Sequence, residues 1–508
     1  MQALALAPLW PALASGPARA NSGSVLSPAQ ARGDLQQLRR AFDTLHAGLH
    51  RRTTPAQLNA AFAAAEQAVA GGSTQVNLFL LCSQIAATVN CGHTWASHFN
   101  ARQDLRQRLM DGSDKLPFTL RWVQGRALIT GSAAAALAEG SELLAIDGRP
   151  VAQIAAALLP LLRADGQHAG AAGKRWAQLD SGAGIGAMDW LFPLRFPPAN
   201  GRWQLTLRER PLQPGGAMRE LTVPAISLAE RQRSLPLLAP QWSFEREGDT
   251  AVLRLPTFAF WNSDFKADAF LARTFTALRG LPFLVIDLRD NEGGDDRIAQ
   301  QVLAHLLRAP YEPPAVRLES AYEQVPADLL PMLGTWNLGF FDRRGQATPI
   351  PTPDPSAVAG TPGARWLLPA PAAVRVPPVA APYPGRTVLL VGPQNSSAGF
   401  LFARDVQRSG AAVLMGEPTG GHLQGLNSGQ LAWLTLPASG VAVDIPLRAA
   451  HTLPEDGQAP PDHGVLPELP VAPRFDDAAA GIDTAMHAAR SLIAGWRPGP
   501  RPRISPTS

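Results

Sequence analysis

Three short segments of this 508-residue chain carry residue types and spacings suited to nucleophilic chemistry. The first is Val391-Gly392-Pro393-Gln394-Asn395-Ser396-Ser397-Ala398-Gly399-Phe400, where an apolar strand runs through a tight polar turn into a helix. A nucleophilic serine needs that setting: a hydroxyl clear of the backbone at a helix start, small neighbours that leave room for an acyl group, and a following N–H free to donate. Asn395 or Ser396 also fits a plain helix N-cap. The second is Leu284-Val285-Ile286-Asp287-Leu288-Arg289-Asp290-Asn291-Glu292-Gly293-Gly294, in which a buried strand opens into a glycine pair before a helix beginning Asp295-Asp296. Backbone N–H groups exposed there suit an oxyanion or another anion, and an ordinary strand-to-helix turn fits the same glycines. Neither GxGxxG nor GxxxxGK[ST] is present, which argues against a phosphate loop. The third segment, Met415-Gly416-Glu417-Pro418-Thr419-Gly420-Gly421-His422, reads as a strand leaving a core into a flexible turn.

Such segments need a rigid scaffold. From about 246 to 470 strands and helices alternate: a strand over Ala251 to Phe260, a helix over Asp264 to Arg279, a buried run Phe283 to Leu288, a helix over Asp295 to Leu307 and a buried run Thr387 to Val391. That order predicts an α/β core, placed at 240–496, with a Pro-rich surface insertion at 330–385. Upstream, Ser27-Pro28 and Thr54-Pro55 each pair an N-cap with proline at the first helical position. Leu35, Leu38, Phe42, Leu45 and Leu49 then recur at helical spacing, and a third helix from Val76 ends near Gly92, so 21–105 is expected to be a helical domain. Its last helix delivers Cys91-Gly92-His93-Thr94 into a loop, where other parts of the chain can reach the histidine. Between 112 and 225 short strands dominate, and the Asp147-Gly148 hairpin turn followed by a helix resembles a segment of a PDZ domain.

In order and content these segments resemble the tail-specific, or C-terminal-processing, serine peptidases. That family combines a strand ending Asp-Leu-Arg-x-Asn-x-Gly-Gly, a Ser-Ala turn and a Gly-Glu-x-Thr segment, and Pro461-Asp462-His463-Gly464-Val465 looks like its closing motif. The resemblance implies a crotonase-like ββα core with a PDZ-like domain, and peptide-bond hydrolysis without a cofactor. It places the nucleophile on Ser397, with Ser396 as the fallback, and oxyanion donors on Ala398 and on Gly293 or Gly294. Many members take a lysine as general base where this chain has His422, and no lysine follows Ser397. A second branch, similar to tricorn protease and the chlamydial secreted protease, uses an upstream histidine and a glutamate roughly 58 or 59 residues after the serine. His93 matches that histidine, and Glu455 and Asp456 stand at the acid's distance in a polar loop that also holds Asp462. A histidine can take the serine proton near neutral pH while a carboxylate holds its tautomer. The retinoid-binding proteins of photoreceptor matrix resemble the same core, so a non-catalytic binder of hydrophobic ligands or peptides is the alternative.

Composition bounds these readings. The length predicts about three domains, and 46% hydrophobic residues supply more than one core. The net charge of +4 comes without a basic run, which gives no footprint for nucleic acid. No stretch is apolar enough to span a membrane. Residues 1–20 read as an export signal, with an apolar stretch from Ala3 to Ala14 and a small-x-small site at Ala18-Arg19-Ala20, so a periplasmic or secreted location is expected. Cys82 and Cys91 are too few for a disulfide framework and lack metal-site spacing; a single pair in an oxidising compartment and two half-buried thiols both fit. The last residues, 497–508, are expected to be disordered.

Overall fold

A run such as Phe283-Leu284-Val285-Ile286 is apolar at every position, so a strand built from it must be covered on both faces. In the computed structural model, which describes residues 25–496 apart from 182–185, 210–211, 213–215, 236–240, 352–364 and 372–373, it is. The expected export signal and the expected C-terminal tail lie outside the described residues. Phe283–Asp287 is third in a six-stranded sheet ordered Ser243–Glu247, Thr250–Arg254, Phe283–Asp287, Arg386–Val391, Val413–Gly416 and Leu469–Pro470. The first two strands pair antiparallel and the others parallel. Leu284, Ile286, Leu389 and Val391 pack against the helices Ala267–Ala277, Asp296–Leu306 and Ser397–Arg408. Their neighbours Val285, Val388 and Leu390 turn the other way, onto Ala485, Met486 and Ala489 of the helix Thr484–Ala494. The strand expected from Ala251 stops at Arg254, because Pro256 has no N–H to extend the ladder.

Upstream, Ser27 and Thr54 form capping boxes with Gln30 and Gln57 at the starts of the helices Pro28–Leu45 and Pro55–Ala68, and a third helix runs Gln75–Thr88. Five antiparallel strands come next, Phe118–Val123, Arg126–Ser132, Glu142–Ile146, Arg202–Arg208 and Met218–Pro224 in that spatial order. Asp147 and Gly148 have φ of 48° and 70°, as the tight hairpin between Glu142–Ile146 and Arg149–Pro150 requires. One continuous core joins these parts: Phe42 and Phe79 of the helices, Trp203 and Leu205 of the sheet, and Leu434 and Val443 from far downstream.

Two tertiary contacts tie distant segments together. The strand Trp95–Ser97, just after His93, pairs antiparallel with Ala442–Pro446 and so fastens the histidine loop to the C-terminal half. Within the Pro-rich stretch, Leu333–Gly334 pairs with Leu431–Thr435, and Arg343 is buried, donating to Gln430 Oε1 and Leu447 O. That part of the stretch is therefore woven into the protein. Cys82 and Cys91 are both free and buried. Among the described residues no helix is long and apolar enough to cross a membrane. The whole is a mixed α/β protein with several sheets.

Leu389 lies at the centre of the parallel sheet and has no exposed surface. Leu389→Ala is expected to lower unfolding free energy by about 2–5 kcal/mol, read from urea denaturation, because the packed helices close only part of the cavity.

Candidate active site

Phe283–Asp287 and Arg386–Val391 are parallel neighbours, so the glycine turn and the serine turn leave the sheet side by side at the strands' carboxyl ends, where open α/β sheets place their crevice. Backbone carbonyls beyond the ladder need donors, and two fully buried asparagines supply them. Asn395 Nδ2 donates to Leu288 O at 2.6 Å and Asn291 O at 3.1 Å, while its Oδ1 accepts from Gly392 N at 2.9 Å. Asn291 Nδ2 donates to Leu255 O at 2.8 Å, and its Oδ1 accepts from Gly293 N at 2.8 Å. The turns then touch. Gly293 has φ of 114°, and a Cβ there would lie 2.8 Å from both Ala398 N and Ser397 Cβ.

Ser397 opens the helix Ser397–Arg408 with φ of 47°, a left-handed conformation that costs a serine energy and is typical of strained functional turns. Ala398 follows in the first helical turn, where N–H groups have no intrahelical acceptor. Of the two glycines, Gly293 spends its N–H on Asn291, and Gly293 O and Asp295 N both bond to Phe258 in an isolated parallel bridge, a pattern that turns the intervening Gly294 N–H away from Phe258. Ser396 is buried. Its Oγ donates to Glu292 O at 3.1 Å and accepts from Lys174 Nζ at 2.5 Å.

Lys174 comes from the helix Ala169–Ala177, which lies against the serine turn and the 418–420 segment. The approach is so close that a Cβ on Gly170 would stand 2.0 Å from Thr419 O. Just before this helix, Asp165 accepts from Gly92 N at 2.8 Å, beside His93. His93 Nδ1 and Asp165 Oδ2 are both buried and have no hydrogen-bond partner in this structure. Burial pushes the His93 imidazole down to about 4; Asp165 and Glu292 oppose that, while Arg163 and Lys174 add to it. Burial works the other way on Asp165, but His93, Arg52, the Gly92 N–H and Lys174 together hold its carboxyl below the usual range. Glu292 is likewise held low against desolvation by Lys174, Arg163 and His93, and Arg163 bonds it at 3.2 Å. His93, Asp165, Arg163, Lys174 and Glu292 thus form one charge cluster beside the serine turn.

The carboxylates expected from sequence spacing lie elsewhere. Glu455 pairs with Arg408 at 2.6 Å, and Arg408 ends the helix that Ser397 begins, roughly 16 Å away at 1.5 Å per residue. Asp456 is exposed in the same turn, with φ of 49°. Neither is among the charges that act on His93. His422 Nδ1 accepts from Gln424 N, which leaves the proton on Nε2, and Nε2 stands 2.9 Å from the Asp462 carboxylate. His422 packs edge-on against His168, which caps the Lys174 helix, with ring centres 5.2 Å apart. The absence of a lysine after Ser397 is real, yet Lys174 reaches the serine turn from upstream. Nothing periodic marks Lys174 or Asp165 in the sequence. The one available signal is scarcity: the chain has three lysines, Lys115, Lys174 and Lys266, and this one sits in a Gly- and Ala-rich helix.

A cavity of about 720 Å³ opens between the strand Phe118–Val123 and the carboxyl ends of the core strands, lined by Arg121, Trp122, Trp176, Glu292, Pro393 and Glu417 among others. Among the described residues no cluster of His, Cys, Asp and Glu suits a metal ion.

Residues 249–471 match the model of Peptidase family S41. The S41 segment holds the glycine turn, the serine turn and the 415–422 segment, and by that match the chain is a serine-type peptidase, as the motifs implied. His93, Asp165 and Lys174 fall outside the matched residues. The solved structure of a CPAF mutant is similar at 16% identity, covering 89% of this chain and 94% of that one with a TM-score of 0.63. Mature CPAF complexed with lactacystin is similar at 17% identity, covering 92% and 98% with a TM-score of 0.61. These likenesses show a shared fold. No curated protein matches the chain.

The strained φ at Ser397 gives a stability prediction separate from chemistry. Ser397→Gly is expected to be more stable than Ser397→Ala by about 1 kcal/mol in chemical denaturation, since only glycine adopts φ of 47° without cost.

Proposed function

We propose that this chain is an exported serine endopeptidase acting on protein or peptide substrates. Ser397 attacks the peptide carbonyl, and His93 takes the hydroxyl proton and later gives it to the leaving amine. Asp165 takes the place of the acid expected at Glu455 or Asp456: it is buried, ionised and coupled to His93, and it stabilises the imidazolium formed during the reaction. Ala398 N–H and Gly294 N–H donate to the oxyanion, while Gly293 gives the turn its close approach to the serine. In this reading the parallel-sheet core is crotonase-like and the 118–224 sheet PDZ-like. Substrate lies in the cavity between them.

The edge of the Phe118–Val123 strand is already in use, since Leu120 N and Trp122 N donate to Ser181 and Asp180. Side-chain contacts in the cleft therefore hold the substrate, with no added β-strand at that edge. The observation that carries the proposal is the shared charge cluster: Lys174 bonds to Ser396, next to Ser397, and is coupled to His93. Export rests on residues 3–20 of the sequence, and a periplasmic or secreted location follows from it.

A fluorophosphonate probe, mapped by mass spectrometry, is expected to label Ser397, and Ser397→Ala to abolish both labelling and hydrolysis of an unfolded protein. A folded protein that takes no label is a binder and ends this proposal. His93→Ala is expected to cost about a thousandfold in kcat/KM and Asp165→Asn roughly a hundredfold or more. Glu455→Gln and Asp456→Asn should stay near wild type; a loss at either that matches Asp165→Asn would return the acid to the 455–456 turn.

The pH profile follows from burial. His93 acts as a base only when neutral, and its pKa is about 4, so kcat/KM should hold through mildly acidic pH and fall as pH drops through that value. A limb at the ordinary imidazole value, near pH 6.5, would mean that the free enzyme solvates His93 more than this structure does.

A further inference from the structure

We infer that Lys174 is a positioning residue of this active site, whose ammonium, delivered by the helix Ala169–Ala177, holds the serine turn and the Glu292–Gly293 turn in register through Ser396 and sets the field in which His93 works. The inference rests on Ser397 and His93 being nucleophile and base.

A lysine ammonium that is 1% exposed is costly unless it is paired. The hydrogen-bond partner here is a neutral hydroxyl, Ser396 Oγ, at 2.5 Å; burial lowers the lysine's pKa and Arg163 adds to that, while Glu292 and Asp165 favour the charged form. Ser396 passes its own proton on to Glu292 O, one residue before the glycine pair. A single relay thus runs from a helix outside the S41 segment, through the residue before the nucleophile, to the backbone that carries the second oxyanion donor. The two donors in question, Ala398 N–H and Gly294 N–H, belong to separate turns. Their spacing depends on what joins those turns, and an error well below 1 Å in such donors is felt in the rate.

The same ammonium faces His93. The charged groups coupled to that ring are Asp165, Arg163, Lys174 and Glu292, and Lys174 opposes its protonation. Removing the cation leaves the two carboxylates against Arg163 alone, so His93 binds a proton more readily. A lysine that merely filled space would not move that equilibrium.

The test uses the full chain with Lys174→Met, Lys174→Arg and Ser396→Ala. Steady-state kinetics on an unfolded protein would be measured between about pH 4 and 9, with fluorophosphonate mapping and thermal melting alongside. Lys174→Met is expected to lower kcat on the order of a hundredfold with a smaller change in KM, and to move the acidic limb of kcat/KM to higher pH. Lys174→Arg should keep the limb near wild type and recover part of kcat. Ser396→Ala should lower kcat about tenfold without moving the limb. A folded Lys174→Met protein with wild-type kcat overturns the inference, as does one whose kcat falls while its limb stays in place. If that variant does not fold, unchanged kcat in Ser396→Ala overturns it. A wild-type label on Ser396 in place of Ser397 has a separate meaning: it refutes the nucleophile assignment, whatever the lysine variants do.

Discussion

The side chain of Asn395 is the fastening on which this site depends. Two parallel strands end together, and each leaves backbone carbonyls that the ladder no longer serves. Asn395 gives both N–H bonds to the neighbouring turn, at Leu288 O and Asn291 O, and ties its own turn with the remaining oxygen at Gly392 N. Buried carbonyls without donors would cost about 1–3 kcal/mol each, so the two turns have strong reason to stay in contact. Ser397 can hold a left-handed φ because the surrounding bonds over-determine the turn.

The chain around that fastening assembles from distant pieces. Thr419 N donates to Val465 O, and Val465 N returns a bond to Thr419 Oγ1, which lays the closing motif along the Gly-Glu-Pro-Thr segment. Gly421 N donates to Asn395 O, joining that pair to the serine turn. The helix carrying Lys174 presses on the same segment at Thr419, and the His93 loop is held by the strand Trp95–Ser97. The motifs that stand far apart in sequence therefore form one surface at the strand ends, and the helical and β-rich regions contribute the charges that the parallel-sheet core lacks.

Those charges are arranged so that burial sets their states. His93 is kept neutral chiefly by desolvation, whereas Asp165 and Glu292 remain ionised because cations outweigh the same penalty. A second histidine cluster lies close by, with His422 also neutral, down at about 3 through burial first and then Arg52 and His168. Its Nδ1 accepts from Gln424 N and its Nε2 stands 2.9 Å from Asp462, which fits a structural part better than a catalytic one.

Much of this was legible in the residue order. Uninterrupted apolar runs at 283–286 and 387–391 require a sheet covered on both faces, and the Ser27-Pro28 and Thr54-Pro55 pairs start helices where their chemistry says they should. The glycine turn, the serine turn and their order were readable because each needs particular small or polar residues within a few positions. What tertiary structure alone decided is which charges stand beside the serine. Glu455, which spacing offered as the acid, is paired with Arg408, the last residue of the helix that Ser397 begins, while Asp165 and Lys174 arrive from a region with no catalytic pattern of its own. The physical reason is that a strand or a helix is dictated by neighbours in sequence, whereas the field at a buried imidazole is set by charges a few ångströms away in space. Which charges those are depends on how separate segments pack, and no local spacing encodes that.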